Sequence, residues 1–163
     1  GTSTHLAAEL FKAVAAIDIA HIPYKGSAPA VTDVIAGQVP VLMDSVASST
    51  AHVKAGKLKA LATTSPKRLL VLPDLPTVAE SGYPGFQSTA WVGLLAPAGT
   101  PKAIVEQINA AVLKVMALPE TRERMAGFGA EITTSTPDEF AAHIRSEMAK
   151  LGKVIRDANI KVN

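Results

Sequence analysis

The sequence contains no cysteine, which excludes disulfides, thiolate nucleophiles and cysteine-bound zinc. Aromatic side chains are scarce: one tryptophan, two tyrosines and four phenylalanines in 163 residues. That is too few for base-stacking platforms. Neither sign of charge dominates. The formal net charge is +2 and charged residues make up 18%. The signs alternate in Glu120, Arg122, Glu123, Arg124 and again in Glu147, Lys150, Lys153, Asp157. Such mixing marks solvated helix faces, so no nucleic-acid partner is expected. No apolar run reaches the ~18 residues of a membrane span. The chain opens on Gly1-Thr2-Ser3-Thr4 and a helical pattern, with neither an initiator methionine nor a leader's apolar stretch. A processed or shortened form of a longer precursor is the expectation.

Apolar residues make up 48%, enough to build a core and to argue against disorder. Leu6, Leu10 and Val14 recur on one face and predict a helix from about Ser3 to Val14, with the hydroxyls of Thr2, Ser3 and Thr4 available as caps. Residues 19–24 read as a short strand stopped by Pro23. Gly26-Ser27-Ala28-Pro29 is a turn into a helix over Ala30 to Ala36, ended by Gly37. Strands are expected at Val39 to Met43, Leu58 to Thr64, Phe86 to Ala96 and Ala130 to Thr134. Helices are expected at Ser48 to Ala55, at Pro101 to Ala117 (capped by Thr100), at Pro119 to Phe128, and along Phe140, Ile144, Met148, Leu151 and Ile155. Thr77-Val78-Ala79-Glu80 and Thr136-Pro137-Asp138-Glu139 both have the capping-box pattern. Strands alternating with helices predict an α/β fold around a mostly parallel sheet. The long extended segment suggests a division into residues 1–89 and 90–163.

Three stretches could bind a ligand. Gly26-Ser27-Ala28 lies between a strand end and a helix start, where unpaired N–H groups and about half a positive charge face outward. It could equally be an ordinary βα turn. Ser3 and Thr4 sit at another helix start, where they could be caps alone. Asp44 and Ser45 follow a strand end; Asp44 could meet an amino or hydroxyl group of a ligand, orient a water, or cap the next turn. Tyr24 and Lys25 flank the glycine turn, Lys25 as an attractor of carboxylates or as a plain surface lysine. Trp91 on the long strand reads as packing or hinge support.

Catalysis finds little footing. Ser45, His21 and Asp44 would be the residues of a small hydrolase, but no G-x-S-x-G elbow is present and neighbouring side chains on a strand diverge. The four histidines lack metal-ligand spacing, and no Walker or G-x-G-x-x-G loop occurs. No cofactor or metal is expected, and no enzyme.

His21-Ile22-Pro23-Tyr24-Lys25-Gly26-Ser27-Ala28-Pro29-Ala30 resembles the most recognisable motif of the substrate-binding proteins of tripartite tricarboxylate transporters, the Bug family. In the family's order follow Gly37-Gln38-Val39, Lys54-Ala55-Gly56-Lys57-Leu58-Lys59-Ala60-Leu61-Ala62, Leu72-Pro73-Asp74-Leu75-Pro76-Thr77, Gly82-Tyr83-Pro84-Gly85-Phe86, Trp91-Val92-Gly93-Leu94 and Ala96-Pro97-Ala98-Gly99-Thr100-Pro101. The likeness spans nearly the whole chain. It implies a periplasmic-binding-protein-like (type II) two-lobe architecture, here one complete lobe (1–89) plus the returning part of the other (90–163). It also implies a periplasmic receptor that closes on a small organic acid, a di- or tricarboxylate or a related one, and delivers it to membrane permease subunits. Ser3, Thr4, Tyr24, Lys25, Gly26, Ser27, Ala28, Asp44 and Ser45 are then the ligand-binding candidates. Family members carry about a hundred further residues before the point matching Gly1. A piece lacking them is expected to bind ligand poorly and to self-associate through uncovered apolar surface. A ligand-sensing effector lobe of a regulator is the alternative reading.

Overall fold

The computed structural model describes residues 1–160. Residues 161–163, which belong to the expected second segment, lie outside them. Six helices follow one another: α1 (Ser3–Ala15), α2 (Ser27–Ile35), α3 (Val46–Lys54), α4 (Lys102–Ala117), α5 (Pro119–Gly127) and α6 (Pro137–Asp157). The chain divides into two compact units, Gly1–Ala90 joined by the last described residues from Ala158, and Trp91–Asp157.

In the first unit, α1 packs through Ala7 and Phe11, with Leu6 and Leu10 half-buried and Val14 at the end of its apolar stripe exposed. Ala7 is buried, and the Phe11 ring meets Phe86 and Tyr83 edge-on, with centroids 6.0 and 5.4 Å away. Ala30 and Val31 of α2, Val78 and Phe86 complete the buried apolar set. Small residues make up much of it, so this core is tight rather than thick. Its backbone hub is Thr63-Thr64. The Thr63 amide donates to the Pro76 carbonyl and the Val78 amide to the Thr63 carbonyl, both at 2.9 Å, while the Ser88 amide donates to the Thr64 carbonyl at 2.9 Å. The Thr63 and Thr77 side chains are buried beside this crossing.

In the second unit, Trp91 stands edge-on to Phe140 (5.5 Å) and to His143 (5.2 Å) on α6. Gly93 lies under the Phe140 ring, where any Cβ would fall within 2.7 Å of Cε1 and closer still to Cζ. Asn109 of α4 donates to the Ser135 carbonyl at 3.0 Å, tying α4 to the entry of α6. These contacts give Trp91 its packing role.

The sheet departs from expectation. Among the described residues, pairing is confined to isolated bridges at Thr63–Thr77, parallel, and Leu69–Leu72, antiparallel. Residues 19–24, 41–43, 86–96 and 130–134 run without helix or ladder. The reason is physical: an apolar, alternating stretch becomes a strand only when a neighbour takes its N–H and C=O groups. Only the Thr63-Thr64 stretch finds neighbours on both flanks. The 86–96 segment instead leaves Val92 fully exposed and Leu94 at 70%.

Several ends are also corrected. Helix α2 begins at Ser27 rather than Ala30, because Gly26 adopts φ 114°, ψ 176° at its N-cap, a conformation that L side chains rarely adopt. Thr100 does not cap α4; Pro101 holds the N-cap position and the Thr100 hydroxyl bonds the Pro97 carbonyl. The box at Thr77 forms its reciprocal bonds, Thr77 amide to Glu80 at 2.8 Å and Glu80 amide to the Thr77 hydroxyl at 3.1 Å. It closes a turn, not a helix.

Candidate anion-binding turn

The α2 start is a bare helix terminus. No side chain caps it. Pro29 has no N–H to offer, so the donors of the first turn are the amides of Ser27 and Ala28. Gly26 and Ala28 are exposed, and a Cβ on Gly26 would meet nothing within 4 Å. The turn is therefore open, not plugged by neighbours.

Asp44 gathers the hydroxyls around this turn. Its Oδ2 accepts from Ser27 at 2.6 Å, Ser48 at 2.7 Å and Ser49 at 2.6 Å. Ser27 begins α2 while Ser48 and Ser49 lie early in α3, so one carboxylate oxygen joins two helix starts. Burial pushes the Asp44 carboxyl up, but the three hydroxyls and the Ser45 amide outweigh it and hold the group below its ordinary range. Asp44 is thus ionised near neutral pH. Ser45 occupies the α3 N-cap position without capping it; its hydroxyl lies 2.6 Å from Ser48 Oγ instead.

The other candidates are placed differently. Tyr24 donates its hydroxyl to Asp33 Oδ2 at 2.7 Å. That bond first, and then burial, raises the phenol above its ordinary value. Tyr24 braces α2 against its approach segment. Lys25 is exposed beside Gly26. Thr2 stands at the α1 N-cap position without a side-chain cap bond; its hydroxyl meets that of Thr4 at 3.0 Å. Ser3 is exposed on the first turn. No hydrogen bond among the described residues joins Ser3 or Thr4 to the Asp44 cluster. The sequence reading missed Ser48 and Ser49, although Asp44-Ser45-x-x-Ser48-Ser49 carried a signal: hydroxyls four and five residues along fold back over an acid just before a helix.

Elsewhere, His5 on α1 stacks on His21, centroids 3.8 Å apart and planes at 10°. Burial, then the His21 ring, lower the His5 pKa, with the α-amino group and Lys12 adding to the effect and Glu9 opposing it. His21 is therefore engaged with another histidine, not with Ser45. A recess of about 420 Å³ lies away from the glycine turn, between the end of α3, residues 58–60 and residues 71–76. Leucines, valines and prolines dominate its lining, beside one cation, Lys59, and one acid, Asp74. Among the described residues, no helix is long and apolar enough to cross a membrane.

Comparison with known proteins gives a consistent picture. The model of the tripartite tricarboxylate transporter family receptor matches residues 1–160. A protein of the tcbD-tcbE intergenic region of Pseudomonas sp. strain P51 is 39% identical over the whole chain, which covers 49% of that protein. Protein BugT of Bordetella pertussis is 34% identical over 99% of the chain and 50% of its own length. One relative, from the clcB-clcD intergenic region of Pseudomonas knackmussii, is matched over 97% of its length at 34% identity. The chain thus spans about half the length of the first and of BugT, and nearly all of the third. Among solved structures, R. palustris Rpa4515 with adipate superposes with a TM-score of 0.84 at 36% identity, over 98% of this chain and 54% of that one. The periplasmic binding protein BugD gives 0.78 at 36% identity, over 96% and 53%. The fold is therefore periplasmic-binding-protein-like.

Proposed function

The chain belongs to the tripartite tricarboxylate transporter receptor family, and from that premise we propose that its protein is a periplasmic receptor that captures a small organic di- or tricarboxylate for the permease subunits of such a transporter. Residues 1–89 would be one lobe and 90–163 the returning part of the other. The observation that carries this reading is the uncapped, open start of α2 at Gly26. Two amides and a helix N-terminus there match a carboxylate without any lysine or arginine in contact. Lys25, exposed next to the turn, adds long-range attraction for an anion. The relative solved with adipate supports an acid of this class. The matching family is one of receptors, and that supports reading this protein as a receptor.

Magnitudes explain why one turn is not the whole site. Hydrogen bonds to a charged group contribute about 1.5–3 kcal/mol each, so two amides supply about 3–6 kcal/mol. Micromolar affinity needs about 8 kcal/mol. The remainder must come from groups that hold the far end of the acid and from closure that excludes water. A diacid, offering a second charged end, suits that division. Titration calorimetry of the full-length protein against succinate, malate, adipate, 2-hydroxyadipate and citrate tests the reading. Binding of at least one acid in the micromolar range is expected; silence from the whole panel defeats it.

A further inference from the structure

The recess at the end of α3 and the turn beside it present a surface that folding of the first unit does not require. Val53, Leu58, Val71, Leu72 and Leu75 line the recess, yet each is only half-buried. A small-molecule site encloses most of its occupant. This one is an open depression of about 420 Å³, shaped for a side chain of a polypeptide partner. The neighbouring turn is closed by the Leu72 amide donating to the Leu69 carbonyl at 3.1 Å. Its centre is Leu70-Val71, where exposed turns ordinarily carry glycine, proline, asparagine, aspartate or serine. Leu70 is 91% exposed, so it contributes almost nothing to the core.

Charge marks the same face. Between Ser45 and Pro73 the chain carries Lys54, Lys57, Lys59, Lys67 and Arg68 and no acid. Arg68 is engaged by Glu80, and Lys54 complements the C-terminal end of α3. Lys57 and Lys59 are exposed and form no ion pair among the described residues. Asp74 is the one acid in the lining, and the lysines outnumber it. We propose that the Leu70 turn, the recess beside it and Lys57 and Lys59 form the surface by which the receptor docks on its permease, taking a segment that offers an apolar side chain flanked by aspartate or glutamate. The inference rests on the proposed receptor role and deepens it by naming the docking surface. Position supports it. Helix α3 has nine residues and is roughly 13 Å long; its start holds the serines bonded to Asp44 and its end borders the recess. A partner seated there leaves the open Gly26 turn uncovered. An anionic lipid surface would attract the same lysines but has no side chain to fill a recess.

The test uses the full-length receptor against two surfaces: the permease subunits of its own transporter in phosphatidylcholine nanodiscs, and vesicles of phosphatidylcholine with phosphatidylglycerol. Biolayer interferometry reads docking, and calorimetry reads acid binding in parallel. Wild type is expected to dock on the permease, more weakly as salt rises, and not on the vesicles. Leu70→Ser, and separately Lys57→Glu with Lys59→Glu, should each weaken docking about tenfold or more and leave acid affinity unchanged. If one variant loses its circular dichroism signal, the other decides. Three results overturn the proposal while leaving carboxylate capture standing: variants that dock like wild type, binding to the anionic vesicles that the same variants abolish, and a wild type that binds an acid but not the permease. A wild type that binds none of the acids defeats the receptor reading itself, and this inference with it.

Discussion

Asp44 carries more of the local structure than its position in the sequence announces. Read alone, it is an acid after a strand-like stretch. In the fold it is the acceptor at which Ser27, Ser48 and Ser49 meet. This sets a pH dependence with a definite sign. The folded-state pKa lies below the ordinary 3.8, so the unfolded chain takes up the proton first as acid is added. The stabilisation is complete above about pH 4 and is lost as pH falls through the depressed folded value. His5 acts in the same direction at milder acidity. Its pKa is lowered from 6.5, so the unfolded state again binds the proton more readily, and stability declines as pH falls below about 6.5. Urea unfolding followed between pH 7 and pH 3 should show the midpoint dropping in two stages. His5→Gln should flatten the first stage, and Asp44→Asn should reduce the second, to which Glu80 and Glu139, held below their ordinary range by bonds from Thr77 and Thr136, also contribute; a midpoint independent of pH contradicts both assignments. The glycine of the turn was legible in the sequence because only its backbone freedom mattered. The Ser27 partner of Asp44 was not, since a hydroxyl and a carboxylate seventeen residues apart meet only through the packing of α2 on α3.

At the scale of elements, helices were the readable part. The stripes of α1, α4 and α6 follow from residues three and four apart, and their ends moved by only a few positions. The box at Thr136 works as its pattern implies: the Thr136 amide donates to Glu139 at 2.8 Å and the Glu139 amide to the Thr136 hydroxyl at 3.2 Å. Thr136→Ala should therefore cost about 1 kcal/mol, measured as a loss of helical signal and a lower urea midpoint, with Thr136→Ser restoring most of it. Capping elsewhere was over-read. Thr2 and Thr100 sit near helix starts, yet their hydroxyls turn to Thr4 and the Pro97 carbonyl. A hydroxyl has one proton and several nearby acceptors, and spacing does not rank them. Gly93 is the opposite case, an unremarkable residue that the Phe140 ring makes indispensable. Gly93→Ala should destabilise the second unit by about 1–3 kcal/mol through overpacking, visible as lost near-ultraviolet signal from Trp91.

For the whole molecule, the exposed apolar residues decide behaviour in solution. Val92 is fully exposed and Leu94 is 70% exposed, alternating with Trp91 and Gly93, which face α6. The backbone here runs without a ladder partner, and apolar side chains on an unpaired extended segment invite association. Light scattering on the chain as given should show a mass that rises with concentration, and joint Val92→Lys and Leu94→Lys changes should suppress the rise; a concentration-independent monomer would contradict this. The sequence by itself determined the helices, the glycine turn, the reciprocal bonds of the two capping boxes and the family, because each depends on residues a few positions apart or on motifs in a fixed order. Tertiary structure alone decided that Thr63-Thr64 finds backbone partners at Pro76, Val78 and Ser88 while 91–96 runs without a ladder, that His21 stacks on His5, and that Ser27 spends its proton on Asp44. Those outcomes turn on which distant backbone or side-chain group arrives first to satisfy a donor, and no local pattern encodes the arrival.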